Sequence, residues 1–226
     1  MQPNQELVMQ IYHTLLKHFG PRGWWPADSR LEIIIGAVLT QAVAWKNVTL
    51  AIDNLKWANL MDINTIVNID EEDLAQHIKP ALYHRQKARK LKTLINFIAT
   101  EYNGDLDLMF AESLPVLRKK LLATWGIGPE TADSILLYAG DKMVFVVDTY
   151  TKRIFYRLGM VEENISYQEM QEFLEHYIPP NIYIYNEYHA LLVGLGANYC
   201  KKSRPRCSKC PVQNLCKYLT HLQEKY

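Results

Sequence analysis

Apolar residues recur with a helical period along almost the whole chain. "QELVMQIYHTLLKHFG" puts Leu7, Val8, Ile11, Leu15 and Phe19 on one stripe, and Gly20 is placed to end the helix. Similar patterns cover about 30–43, 47–57, 71–79, 84–102, 114–124, 130–139, 149–158, 167–177 and 185–195. "MVFVV" (143–147) is the one convincing extended run, and five residues cannot form a sheet by themselves. No period of 20–50 residues repeats and no stretch is low-complexity. The expected fold class is all-α.

Two breaks punctuate this pattern. "FGPRGWWPADS" (19–29) carries Gly and Pro, and "YAGDKMVFVVD" interrupts the helical period again. They divide the chain into a central helical block, 30–141, and a discontinuous block made of 1–29 and 142–226.

Composition changes this picture only at the margins. With 226 residues, 49% apolar and 22% charged, the chain suits a globular protein able to bury a core. A net charge of +1 means that any affinity for nucleic acid comes from a local patch. "MQPNQELVMQ" lacks the features of a secretion signal, and "IIIGAVLTQAVAW" is too short to span a bilayer. The expectation is a cytoplasmic protein, nucleoid-associated in a prokaryote, with no membrane partner. In that reducing setting clustered cysteines bind metal more often than they form disulfides.

All four cysteines fall between Cys200 and Cys216, in "CKKSRPRCSKCPVQNLC", spaced C-x6-C-x2-C-x5-C. Four thiolates suit zinc, but paired zinc knuckles show two separated C-x2-C units, and here one such unit is flanked by single cysteines. Four thiolates equally hold an iron–sulfur cubane. Lys201, Lys202, Arg204, Arg206 and Lys209 fill the gaps, and no Asp or Glu occurs from 188 to 223. A charge run is ordinarily a solvated face. This one, pinned by its cysteines, reads as a loop that grips phosphate.

"LLATWGIGPETADSILLYAG" reads as helix, Gly-Ile-Gly turn, helix. Gly126 and Gly128 permit positive φ and remove Cβ atoms, so a ligand can approach the backbone. Thr131 follows, and the next helix opens with free N–H groups, which suits a phosphate. A tight turn that binds nothing is the alternative. Twenty residues on, Asp148 in "VVDTYTKRIFYRLG" stands where an extended run meets a helix, the position of an N-cap.

These elements together resemble the endonuclease III (helix-hairpin-helix) superfamily of DNA glycosylases. The likeness rests on "GAVLTQ", the Gly-x-Gly hairpin, the Asp about twenty residues later and the cysteine spacing, over nearly the whole chain. It implies two helical domains with DNA in the groove between them, and Asp148 as the catalytic carboxylate. It further implies a [4Fe–4S] cluster on Cys200, Cys207, Cys210 and Cys216. The implied partner is double-stranded DNA containing a damaged base, bound by a monomer.

Members of that superfamily that also cut the strand carry a lysine at the start of the second hairpin helix, where it forms a Schiff base. Here Glu130 stands at that place in "GIGPETA", and a carboxylate forms no imine. Base excision by water is the favoured chemistry, with Glu130 near the site but without an assigned role. Asp148 would stabilise an oxocarbenium-like sugar and orient the attacking water. Such chemistry suits a base that already leaves well, as a purine alkylated at N3 or N7 does.

Trp24-Trp25-Pro26 and Trp45 flank the helix leading to Gln41. Indole faces attract cations, so they are candidates for a pocket preferring an alkylated purine, with simple core filling as the alternative. Trp57 and Trp125 read as core. Trp-Trp-Pro, an aromatic four positions after the glutamine and the hairpin glutamate resemble the 3-methyladenine DNA glycosylase III branch. Two departures stand out: the best-known form of that branch lacks the cluster, and it has phenylalanine at the place of Trp45.

Base extrusion leaves a hole in the stack. Gln41 matches the inserting glutamine of the superfamily, with a capping or solvent-facing role as the alternative. Leu82 in "PALYHRQKARK" is a second wedge or a core residue. The basic run from His84 to Lys92 reads as a solvated helix face, and His189 as a satisfied core histidine. Rival functions are a glycosylase with AP-lyase action on oxidised pyrimidines and a non-catalytic DNA-binding module.

Overall fold

A computed structural model describes residues 4–218. The ends of the expected discontinuous block, residues 1–3 and 219–226, lie outside the described residues. The α-helices are α1 (Gln5–Phe19), α2 (Arg30–Leu39), α3 (Trp45–Trp57), α4 (Ile63–Asn68), α5 (Glu71–His77), α6 (His84–Tyr102), α7 (Leu106–Ala111), α8 (Leu114–Ala123), α9 (Pro129–Ser134), α10 (Thr149–Leu158), α11 (Tyr167–Tyr177) and α12 (Ile182–Asn198). The all-α expectation holds: among the described residues no β-strand forms.

Every helix read from periodicity is present. The expected 30–43 helix stops at Leu39, and α4 and α7 had no counterpart in the sequence reading. Each of those two is six residues long, too short to display a period, and each is started by an aspartate cap, Asp62 and Asp105. Among the described residues the Val144–Val147 run pairs with no strand. Side chains of α11 take up its polar groups instead. Glu175 accepts from Phe145 N–H at 2.8 Å, Gln171 donates to Phe145 O at 2.7 Å, and the Tyr167 hydroxyl accepts from Val147 N–H at 3.3 Å.

The chain packs as two compact units, Trp25–Lys142 and the remainder, Met1–Trp24 with Met143–Tyr226. Residues 25–29 therefore belong with the central unit. The reason is Trp25, whose indole lies against α2 at Gly36, where a Cβ would stand 2.9 Å from the ring.

In the central unit α6 is the spine. Leu91, Leu94, Ile95 and Ile98 are fully buried, each worth about 1.5–3 kcal/mol of burial. Its basic run is a solvated face only in part: Arg85 and Arg89 are exposed, but the lysines are not. Lys87 is buried and donates to the Leu39 and Ala81 carbonyls at 2.7 and 2.6 Å. Lys92 donates to the Ile66, Val67 and Ile69 carbonyls. Both serve acceptors that helix ends leave unfilled. Burial, then Lys90, lowers the Lys87 ammonium to about 8.

Buried Asp133 receives a bidentate pair from Arg118, 2.7 and 3.0 Å, tying α9 to α8 across the hairpin. A π-helical turn, Ile135–Ala139, follows α9. In the other unit α12 is the spine, with Tyr188, Leu191 and Leu192 fully buried and the Tyr188 hydroxyl donating to Val8 O at 2.7 Å. Buried Glu187 accepts from Arg22 and Gly23 N–H at 2.7 and 2.8 Å, holding the segment that ends at Trp24.

Candidate functional site

Asp148 caps α10. Its Oδ1 accepts from both the backbone N–H and the hydroxyl of Thr151, each at 2.7 Å. Oδ2 lies 3.8 Å from Nε2 of His189, and the aspartate side chain keeps 10% exposure. The carboxylate is thus held by one oxygen, with the other turned toward the histidine. Burial lowers the His189 pKa, partly opposed by Asp148, so the ring is neutral at pH 7. His189 is buried as expected, but its place beside Asp148 was invisible in the sequence, where they stand 41 positions apart. Thr151 was also missed, although "DTYT" puts a hydroxyl at the N3 position of the helix.

In the central unit Trp25 and Trp45 meet edge to face, centroids 5.3 Å apart, and Tyr138 of the π turn contacts Trp25 at 5.4 Å. Trp25, Pro26 and Trp45 line a pocket together with Glu32, Thr49, Ile52 and Asp53. Trp24, half-buried, is the last residue of its stretch of the other unit.

Gln41 is neither a cap nor a side chain left to solvent. Its Nε2 donates to Thr131 Oγ1 at 2.9 Å and to Gly126 O at 3.4 Å, and its Oε1 accepts from Lys90 Nζ. The buried Thr131 hydroxyl is engaged by Gln41. Gly126 takes φ +84, and a Cβ there would fall 2.4 Å from Lys90 Cγ, so both the backbone and Lys90 require glycine. Gly128 does not use that freedom, with φ −92, and a Cβ there would meet nothing within 4 Å. Glu130 is exposed in the first turn of α9.

Leu82 is not core: it is 52% exposed with φ +44, beside an exposed Tyr83 at φ +48. Trp57 and Trp125 are not core either, at 82% and 46% exposure.

The four cysteines form no disulfide and line one cavity with Arg157, Tyr199, Gln213 and Tyr218. Among the described residues no three His, Cys, Asp or Glu side chains converge on a single ion. Four cysteine sulfurs on one cavity are a donor set that fits an iron–sulfur cubane. Burial pushes the Cys210 thiol up to about 11, so metal loading there would release a proton. Arg157 donates to Cys200 Sγ at 3.4 Å and to Lys201 and Lys202 carbonyls at 2.7 and 3.1 Å, and Arg153 donates to Cys200 O at 2.9 Å. Lys202, Arg204 and Arg206 are exposed and Lys201 is half-buried.

Residues 35–180 match the family described as HhH-GPD superfamily base excision DNA repair protein. A Methanocaldococcus jannaschii protein provisionally named a DNA repair glycosylase is 43% identical over 212 residues, 93% of this chain and 96% of its own. Endonuclease III of Sulfolobus acidocaldarius is 32% identical over 166 residues, 74% of this chain and 66% of that one. The H. pylori 3-methyladenine DNA glycosylase bound to 1,N6-ethenoadenine superposes with a TM-score of 0.74 at 29% identity, covering 84% of this chain and 96% of that one. A non-covalent endonuclease III–DNA complex shares the fold, with a TM-score of 0.84 at 22% identity over 99% of this chain and all of the other. This chain belongs to the HhH-GPD superfamily of base excision DNA repair proteins and is a DNA N-glycosylase.

Proposed function

We propose that the enzyme hydrolyses the N-glycosidic bond of alkylated purines such as 3-methyladenine in duplex DNA and leaves the abasic strand intact. The observation that carries this reading is the aromatic pocket. Trp25 and Trp45 stand edge to face beside Glu32 and Asp53, so indole faces and carboxylates share one lining. A cationic base gains about 0.5–2 kcal/mol from such a face, which a neutral base does not. The H. pylori enzyme, named for 3-methyladenine, supports the same lesion class.

Asp148 is the catalytic carboxylate in this reading. Thr151 fixes its Oδ1, which aims Oδ2 rather than letting the group rotate. As the alkylated base departs with the bonding electrons, the sugar becomes cationic and Oδ2 stabilises it. Water then attacks C1′ and its proton passes to the carboxylate or to solvent. Neutral His189 does not compete as a cation for Asp148. Gly126, Gly128 and Thr131 at the hairpin, with Lys201, Lys202, Arg204 and Arg206, hold the DNA backbone. Leu82 enters the stack, and Gln41 does so on leaving Lys90 and Thr131.

Glu130 supplies no amine. Lys87, whose lowered pKa would suit imine chemistry, is buried against two carbonyls. Strand cleavage is therefore not expected. Cys200, Cys207, Cys210 and Cys216 would hold a [4Fe–4S] cluster, which when bound supplies iron–sulfur cross-links that fix the shape of the basic loop. Chromatography of bases freed from methylated DNA tests the reading. Release of 3-methyladenine with no borohydride-trapped adduct is expected. Trapping of a covalent adduct, or release of oxidised pyrimidines alone, would refute it.

A further inference from the structure

Five of the six basic residues from His84 to Lys92 are Lys or Arg, and four of those five bond to acceptors of the protein itself. Arg85 bonds Glu72 at 3.1 Å, Lys87 and Lys92 hold carbonyls, and Lys90 holds Gln41. Arg89 differs. It is exposed, it forms no ion pair among the described residues, and its guanidinium carbon sits 4.5 Å over the ring of Trp125.

Trp125 is the residue immediately before the Gly126-Ile127-Gly128 turn, and its 46% exposure means that core packing does not explain it. A guanidinium resting on an indole loses rotational freedom yet keeps N–H groups for an outside acceptor. Those groups match the paired oxygens of a phosphate. The nearby backbone is accessible as well, since a Cβ at Gly128 would meet nothing within 4 Å. A stacked nucleobase is the poorer occupant, because it would first have to displace the guanidinium from the indole.

We propose that Arg89, shelved on Trp125, is a further DNA-binding site that grips one backbone phosphodiester beside the hairpin. The inference rests on the glycosylase reading only for the identity of its ligand as DNA. The tryptophan acts as a positioning residue and the arginine makes the contact.

Fluorescence anisotropy of the full chain, titrated with undamaged duplex and with the same duplex carrying an abasic analogue, tests this across a range of salt. Arg89→Ala should weaken both complexes by the same factor, about tenfold. It should also lower the slope of log affinity against log salt by about 0.9, one phosphate contact. Trp125→Ala should lose part of the affinity with the slope nearly intact, and Arg89→Lys should keep the slope. A wild-type slope in Arg89→Ala, or a loss confined to the damaged duplex, overturns the site. If Trp125→Ala does not fold, Arg89→Ala decides alone. Absence of base release from any alkylated DNA by the wild type would sink the glycosylase reading, and the salt slope would still judge Arg89.

Discussion

Residues 84–92 and residues 201–209 each carry five Lys or Arg in nine positions, and the fold uses them in opposite ways. On α6 the lysines turn inward, Lys87 to the end of α2 and Lys92 to the end of α4. In the cysteine loop the backbone carbonyls are instead filled from outside, by Arg153 and Arg157 of α10. Of the cations of the loop, Lys202, Arg204, Arg206 and Lys209 are exposed and Lys201 is half-buried. What separates the two stretches is the supply of unfilled acceptors. Helix C-termini expose carbonyls that a neighbouring lysine can satisfy, and in the loop arginines of α10 already take the carbonyls of Cys200, Lys201 and Lys202.

The largest effect should come from taking away what shapes the loop. Cys207→Ser removes one thiolate, and DNA affinity at moderate salt should fall about a hundredfold, read by anisotropy, as several phosphate contacts lose register. Affinity unchanged in a protein bleached of any absorbance near 400 nm would show that the loop needs no cluster.

Lys87→Met attacks the other stretch. Stranding the Leu39 and Ala81 carbonyls should cost about 1–3 kcal/mol in chemical denaturation, with no change in the salt slope of DNA binding. The pH dependence follows from the lowered pKa. A lysine near 8 in the folded protein and about 10.4 unfolded binds its proton more weakly when folded. The unfolded chain therefore holds more protons between those values, and wild-type stability relative to Lys87→Met should rise with pH from about 8 to 10.4. A difference that falls across that range would mean that the ammonium is stabilised where it sits.

The smallest effects belong to the exposed cations. Lys202→Ala and Arg204→Ala should each lower the salt slope by about 0.9 and leave stability within about 0.5 kcal/mol. Unaltered slopes in both would make that loop an ordinary solvated face.

Much of this was legible in advance. Period and punctuation gave the long helices, because an amphipathic face has to repeat. The exposure of Trp57 could have been counted out: it lies two residues, about 200° of helix, past buried Leu55. Other features could not. The inward turn of Lys87 depends on where α2 happens to end, and the meeting of Asp148 with His189 joins α10 to α12 across a long separation in sequence. Gln41 was picked out by its motif, yet its tie to Lys90 and Thr131 needs three elements brought together.

The central claim is that one carboxylate, held by Thr151, lets a cationic base leave its sugar. Single-turnover release of 3-methyladenine by Asp148→Asn, with duplex binding measured on the same preparation, tests it most directly. A rate about a thousandfold below wild type with affinity preserved is the predicted result. Release at the wild-type rate would contradict the account.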